Sequence, residues 1–584
     1  MDSRAFHDTS ADPLDGVAET LDRAAFAAVA HATHGLSPAT MGQAWSDWAM
    51  HLAVSPGKQA QLWSKAIRKW VRLASQLSPH SDGRNPAIEP LPQDHRFSDP
   101  AWGEWPYSLY SQGFLLTQQW WHAATTGVMG VTRHHEAMVE FAARQFLDML
   151  APSNFIATNP TLQRRIAETG GLCLIEGARL FLQDLEHAMR GEKAAGSDAF
   201  AVGRDLAASP GKVVYRNRLI ELIQYAPATD KVRPEPVLIV PAWIMKYYIL
   251  DLSPHNSLIG WLVSQGYTVF AISWHNPTSA DRDLDLDDYR TLGPMAALDA
   301  IEAITGATSI HALGYCLGGT LLAITAAAMA RDKDKRLASA TLLAAQTEFS
   351  EPGELGLFID EAQINLLENM MWSSGYLDST QMGGAFQILN SNDLIWSRVL
   401  RTYLMGERED LSDLMAWNTD GTRMPYAMHS QYLRQLFLED ALAEGHFKAD
   451  GGTVSLSALR LPMFIVGTER DHVAPWRSVH KIHWLTPAEI TFVLTSGGHN
   501  AGIVSEPGHP HRHFRIMRRP EEEPALSPDD WLVRTEEIEG SWWLAWANWL
   551  NDHSGAPVTP PAMGRDHGSY AAICDAPGTY VYER

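Results

Sequence analysis

A chain of 584 residues, 45% hydrophobic and 20% charged, has the composition of a globular protein and the length for more than one core. A formal net charge of −22 excludes a general nucleic-acid binder, which needs a basic face, and obliges any anionic substrate to find local cations. The longest apolar runs, such as VLIVPAWIM, fall far short of the roughly 20 residues of a membrane span. Three cysteines (Cys173, Cys316, Cys574), with no C-x-x-C and no H-E-x-x-H, predict free thiols in a reducing compartment and no zinc site.

Residues 1–200 predict a mainly helical domain. The opening MDSRAFHDTSADPLDG is polar and acidic, unlike a signal peptide, and points to the cytoplasm. The following stretch holds two Ser-Pro starts, Ser37-Pro38 and Ser55-Pro56, where the serine can cap a helix and the proline fits its first turn. Apolar residues then recur at three- and four-residue spacing, as they do again in MVEFAARQFLDMLAPSNF and GGLCLIEGARLFLQDLEHAM. A Gly/Ala/Ser-bearing stretch over 190–212 reads as a connector.

Across 201–584 the period changes. KVVYRN and LIELIQYA alternate like a hairpin. Short apolar runs follow at VLIV (237–240), TVFAIS (268–273), SIHAL (309–313), ATLLAA (340–345), MFIVG (463–467) and ITFVL (490–494). Helical patterns between several of them predict a mostly parallel sheet covered on both faces. Residues 347–445 break the alternation with a long, Trp-, Met- and Leu-rich, helix-like insertion, placed to act as a lid.

The chemistry centres on GYCLGG, Gly314–Gly319, between SIHAL and the helix-like TLLAITAAAMA. It has the form of the G-x-S-x-G nucleophile elbow with cysteine at its apex, and small neighbours suit the strained turn. Cys316 would stand at a helix N-terminus, which favours a thiolate; the plainer alternative is a small buried hydrophobe. A nucleophile needs a base and an orienting carboxylate, here in the order nucleophile, acid, histidine. Asp471 in TERDHVAPW follows one predicted strand, and His499 in TSGGHNAGI follows the next. His472, His480, His483, His509, His511 and His513 are rival bases, read as surface or structural. The oxyanion donors would be the Leu317 N–H and one from the loop after VLIV, Trp243 or Ile244, with Ile244 taken. The fold class expected is α/β: an α/β-hydrolase catalytic domain with a lid-like insertion over about 347–445, preceded by the helical domain.

Taken together these residues resemble the polyhydroxyalkanoate synthase family, of the long single-subunit class I type. The likeness runs through GLSPATMGQAWSDWAMHLAVSPGKQ, APSNFIATNP with ETGG, KYYILDLSPHNSL, GYTVFAISWHNP, GYCLGGT, NDLIWSRVL, AWNTDGTRMP, RDHVAPW, GSWW and the closing YAAICDAPGTYVYER, in family order. Two places depart. PAWIMK stands where such members read P-P-C-I-N-K, so Trp243 and Met245 replace cysteine and asparagine, and GGHNAGIVSEPGHPHRHF differs from the usual G-H-I-A-G-V.

The resemblance implies polymerisation of (R)-3-hydroxyacyl-CoA, expected to be short monomers such as 3-hydroxybutyryl-CoA, through an acyl-cysteine on Cys316. No cofactor is expected beyond the CoA thioester substrate. Either His499 or Asp471 would assist the attacking hydroxyl. It further implies an active homodimer at the surface of the polyester granule in the cytoplasm, with granule-coat proteins as further partners. The helical domain would provide granule or dimer contact. Competing readings on the same fold are an acyl-CoA thioesterase or polyester depolymerase, and a granule scaffold without activity.

Overall fold

The computed structural model describes residues 13–33, 35–75, 86–91, 94–190, 196, 199–389 and 395–584. Parts of the predicted connector (191–195, 197–198) and of NDLIWSRVL (392–394) lie outside them.

Among the described residues eleven strands form one sheet: β1 (Gly211–Arg216), β2 (Ile220–Tyr225), β3 (Val237–Val240), β4 (Val269–Trp274), β5 (Ile310–Tyr315), β6 (Leu337–Leu343), β7 (Met463–Thr468), β8 (Ile490–Thr495), β9 (His513–Arg519), β10 (Ile538–Glu539) and β11 (Cys574–Asp575). Their spatial order is β10-β9-β8-β7-β6-β5-β3-β4-β2-β1-β11. The six central strands, β4 to β8 through β3, pair in parallel, and the outer ones are antiparallel. Alternate residues feed opposite faces, as a two-residue period requires. Leu238, Val240, Phe270, Ala312, Leu342 and Ile465 enter one buried cluster. Val237, Ile239, Val269, Leu313, Leu343 and Val466 enter the other. Burial on both sides is why these strands read as unbroken apolar runs.

The predicted hairpin and all six apolar runs are strands of this sheet. β9, however, lies in what read as a histidine-rich loop. It pairs antiparallel to β8, with Thr495 opposite Phe514. Its Arg515, Arg518 and Arg519 interrupt the apolar alternation, and so mask it in sequence. β11, from the closing segment, likewise pairs with β1.

The chain packs as two units that interleave along the sequence, rather than dividing once near residue 200. One holds the sheet and comprises the described residues of Met1–Gly35, Ser197–Gly383 and Leu411–Arg584; the other comprises those of Leu36–Gly196 and Gly384–Asp410. Helix α1 (Pro13–Ala32) therefore belongs with the sheet, where the Arg23 guanidinium lies 5.6 Å over the Trp372 ring. The helical unit contains α2 (Pro38–Ala53), α3 (Pro56–Ser75), α4 (Tyr107–Thr125), α5 (Arg133–Met149), α6 (Pro160–Glu168) and α7 (Leu172–Arg190). Ser37 caps α2, accepting from the Thr40 N–H at 3.3 Å. At Ser55 no capping bond from an α3 N–H to the hydroxyl is found among the described residues; the hydroxyl donates backwards to the His51 carbonyl at 2.7 Å. Within this unit Asp184 accepts from Arg398, Tyr403 and Arg408, which ties residues of the predicted insertion to α7. The insertion is thus helical as expected, but it is shared between the two units.

Candidate active site

Between β5 and helix α8 (Leu317–Asp332) the chain turns at Cys316, with φ 52° and ψ −123°. A non-glycine residue with positive φ is strained and persists only where its surroundings enforce it. The flanking glycines show how they do. A Cβ on Gly318 would stand 2.1 Å from the Val240 carbonyl oxygen, one on Gly314 would stand 2.4 Å from Gly319 Cα, and one on Gly319 would stand 2.4 Å from Ala345 Cβ. The turn is therefore wedged against the end of β3 and the residues after β6. Cys316 is half-buried and touches both buried clusters.

Asp471 and His499 follow the C-terminal ends of β7 and β8, the edge at which open α/β sheets place their sites. Asp471 Oδ1 accepts from the Val473 and Ala474 N–H groups at 2.9 and 2.8 Å. Its Oδ2 accepts from Thr468 Oγ1 at 2.9 Å and is paired with His499 Nδ1 at 2.8 Å. Burial works to raise the carboxyl pKa, but the His499 charge and these hydrogen bonds outweigh it and hold it below the ordinary value. Burial likewise works against a charged His499, and the neighbouring Asp471 and Cys316 overcome it, so the imidazole pKa stands well above its usual 6.5. The ring is thus paired with Asp471 at hydrogen-bond distance and lies near enough to Cys316 for the two to influence one another's charge.

The loop bearing His499 is fixed from outside. Trp542 and Trp543 donate their indole N–H groups to the Gly502 and Ile503 carbonyls, each at 3.0 Å. Asn500, at one of the positions where the sequence departs from the pattern it resembles, accepts from the Tyr315 hydroxyl at 2.6 Å and donates to Asn418 Oδ1 at 3.4 Å. It links β5, the histidine loop and the insertion.

The Leu317 N–H opens α8, where no intrahelical acceptor exists. The loop after β3 abuts the turn through Pro241 and Gly318. Residues 420–422 of the insertion grip it. Lys246 donates its N–H to the Asp420 carbonyl at 3.2 Å, the Thr422 N–H reaches the Ile244 carbonyl at 3.0 Å, and the Thr422 hydroxyl bonds the Trp243 carbonyl. The Ile244 N–H makes no backbone hydrogen bond among the described residues.

Most rival histidines have other partners. His480 and His483 are core rings with centroids 4.4 Å apart, packed on Phe492, and burial lowers their pKa values to about 4 and about 2. His509 pairs with Glu506 and His513 with Glu469. Two cations escaped the sequence reading. Arg512 lies against Gly497, Arg470 bonds the Gly497 carbonyl through its backbone N–H, and the Arg512 pKa is lowered by burial, with the Glu506 carboxylate opposing and the Arg470 charge adding to the shift. Among the described residues neither forms an ion pair at salt-bridge distance, whereas most arginines in this acidic chain do. They stand in RDHVAPW and GGHNAGIVSEPGHPHRHF, and only the fold brings those stretches together.

The family described as "Poly-beta-hydroxybutyrate polymerase (PhaC) N-terminus" matches residues 93–262, "Poly-beta-hydroxybutyrate polymerase N terminal" matches 16–58, and "alpha/beta hydrolase fold" matches 235–506. A poly(3-hydroxyalkanoate) polymerase of Methylorubrum extorquens is 40% identical over 533 residues, covering 90% of this chain and 87% of its own. The polymerase subunit of Rhizobium etli is 38% identical over 534 residues, 90% of this chain and 83% of its own. That of Cupriavidus necator is 35% identical over 509 residues, 86% of this chain and 85% of its own.

Proposed function

The chain belongs to the poly(3-hydroxyalkanoate) polymerase family, and from that premise we propose that it joins (R)-3-hydroxyacyl groups of CoA thioesters into polyester through a thioester on Cys316. The observation that carries this reading is a cysteine held at positive φ near a histidine that is paired with a buried aspartate.

His499 takes the Cys316 proton and the thiolate attacks the acyl carbonyl. The Leu317 and Ile244 N–H groups hold the oxyanion. The bond from carbonyl carbon to the CoA sulfur then breaks, and CoA leaves as the thiol with the proton from His499. The bond broken and the bond made are alike, so little free energy is lost at this step. In the second half, His499 takes the proton of a 3-hydroxyl, whose oxygen attacks the acyl carbon and releases Cys316. All four hydrogen bonds on the fully covered Asp471 carboxylate favour His499, rather than Asp471, as the base for that hydroxyl.

An acyl-cysteine must be kept from water, or the product is free acid. The insertion residues Asn418 and Tyr432 next to the site support that role. Arg470 and Arg512 supply positive charge for the CoA phosphates against the overall −22. Among the described residues no helix is long and apolar enough to cross a membrane. The exposed Trp63, Ile67 and Trp70 on α3 favour attachment of a cytoplasmic homodimer to the granule surface.

The test supplies (R)-3-hydroxybutyryl-CoA and follows CoA and product together. We expect CoA release matched by precipitating polyester. Equimolar free 3-hydroxybutyrate instead would make the protein a thioesterase.

A further inference from the structure

Trp243 sits immediately before Ile244 and is 2% exposed. Its ring centroid is 5.4 Å from that of Tyr289 and 6.4 Å, edge-on, from that of Tyr432. From Tyr289 the contacts run on to Trp274 at 5.2 Å, and from Tyr432 to Phe437 at 5.2 Å and then Phe349 at 4.9 Å. Trp243 therefore joins two arms of one aromatic surface. Cys316 packs against the core cluster that holds these rings, and burial first, then the nearby Cys316, raises the Tyr432 phenol pKa.

On the polymerase reading the acyl oxygen lies toward the Leu317 and Ile244 N–H groups, and Trp243, next to Ile244 in the chain and edge-on to Tyr432, is the side chain that the apolar substituent on C3 would meet. The buried Trp243 indole N–H has no acceptor. An unpaired buried donor is a cost that phenylalanine would avoid, so this position uses the indole for its bulk.

We infer that Trp243 is the specificity-determining wall of the acyl site, setting the longest C3 substituent that the Cys316 thioester accepts. The inference rests on the polymerase reading above. Truncating the side chain leaves the backbone anchors from Thr422 to the Trp243 and Ile244 carbonyls in place, so the oxyanion loop should survive.

The experiment measures kcat/KM for CoA release with C4, C6, C8 and C10 (R)-3-hydroxyacyl-CoA, in the unaltered chain and in Trp243→Ala and Trp243→Phe. A pocket discriminates single methylenes by about tenfold or more. The C8-to-C4 ratio should therefore rise at least about tenfold in Trp243→Ala, with Trp243→Phe between. An unchanged ratio, or an equal fall for every chain length, would overturn the inference and leave Trp243 as packing. If Trp243→Ala does not fold, the same ratio in Trp243→Phe decides. Free acid in place of polymer from the unaltered chain would strike the polymerase reading, while the chain-length ratio would still report on the wall.

Discussion

Four hydrogen bonds end on the Asp471 carboxylate, and one of them sets the charge of the ring beside Cys316. The signs follow from the directions of the two pKa shifts. His499 is raised, so its contribution to stability is full below its unfolded value of about 6.5 and is lost as pH rises through the higher folded value. Asp471 is lowered, so its contribution is present above about 3.9 and is lost as pH falls through the depressed folded value. Asp471→Asn removes the anion and leaves burial, which opposes the imidazolium. The His499 midpoint, read from imidazole NMR signals, should fall by about 1–3 units, and acylation should slow by about 10²–10⁴-fold. An unmoved midpoint would show that another group sets the ring's charge. Cys316, Asp471 and His499 stand out in the sequence because each follows an apolar run and Cys316 and His499 have glycine neighbours. Arg470 and Arg512 stand in RDHVAPW and GGHNAGIVSEPGHPHRHF, but nothing in either stretch says that the fold brings the two together.

At the scale of elements, strand, turn and helix make the site only because β3 ends against Gly318. Gly318→Ala would force its Cβ onto the Val240 carbonyl and Pro241, pushing the oxyanion loop off the turn. Overpacking of this kind costs about 1–3 kcal/mol, and losing one oxyanion donor costs about 10²–10³-fold in kcat. Urea midpoints and CoA-release rates on one preparation would check both, and a variant with the original kcat would separate the loop from catalysis. The central strands could be read from sequence because burial on both faces makes them continuously apolar. β9 could not, because an antiparallel strand near the edge carries arginines. The grip of residues 420–422 on the loop after β3 left no sequence signal either, for it joins groups far apart in the chain.

For the whole molecule, the linear order misleads. A reader of the sequence divides it once, whereas the fold assigns α1 to the sheet and Gly384–Asp410 to the helical unit. The tail YAAICDAPGTYVYER acquires a structural meaning only in the fold. Tyr580 offers its carbonyl to Lys246 at 2.9 Å, and Glu583 accepts from the Asn276 N–H at 2.8 Å, so these residues brace the loops after β3 and β4. All of this converges on one sulfur atom. Incubation with (R)-3-hydroxybutyryl-CoA, an acid quench, digestion and mass analysis of the peptide containing GYCLGG test it most directly. The account predicts hydroxybutyryl units on Cys316, removable by hydroxylamine and absent from Cys316→Ala. CoA release from a chain whose Cys316 stays unmodified, or an acyl group carried on another residue, would contradict it.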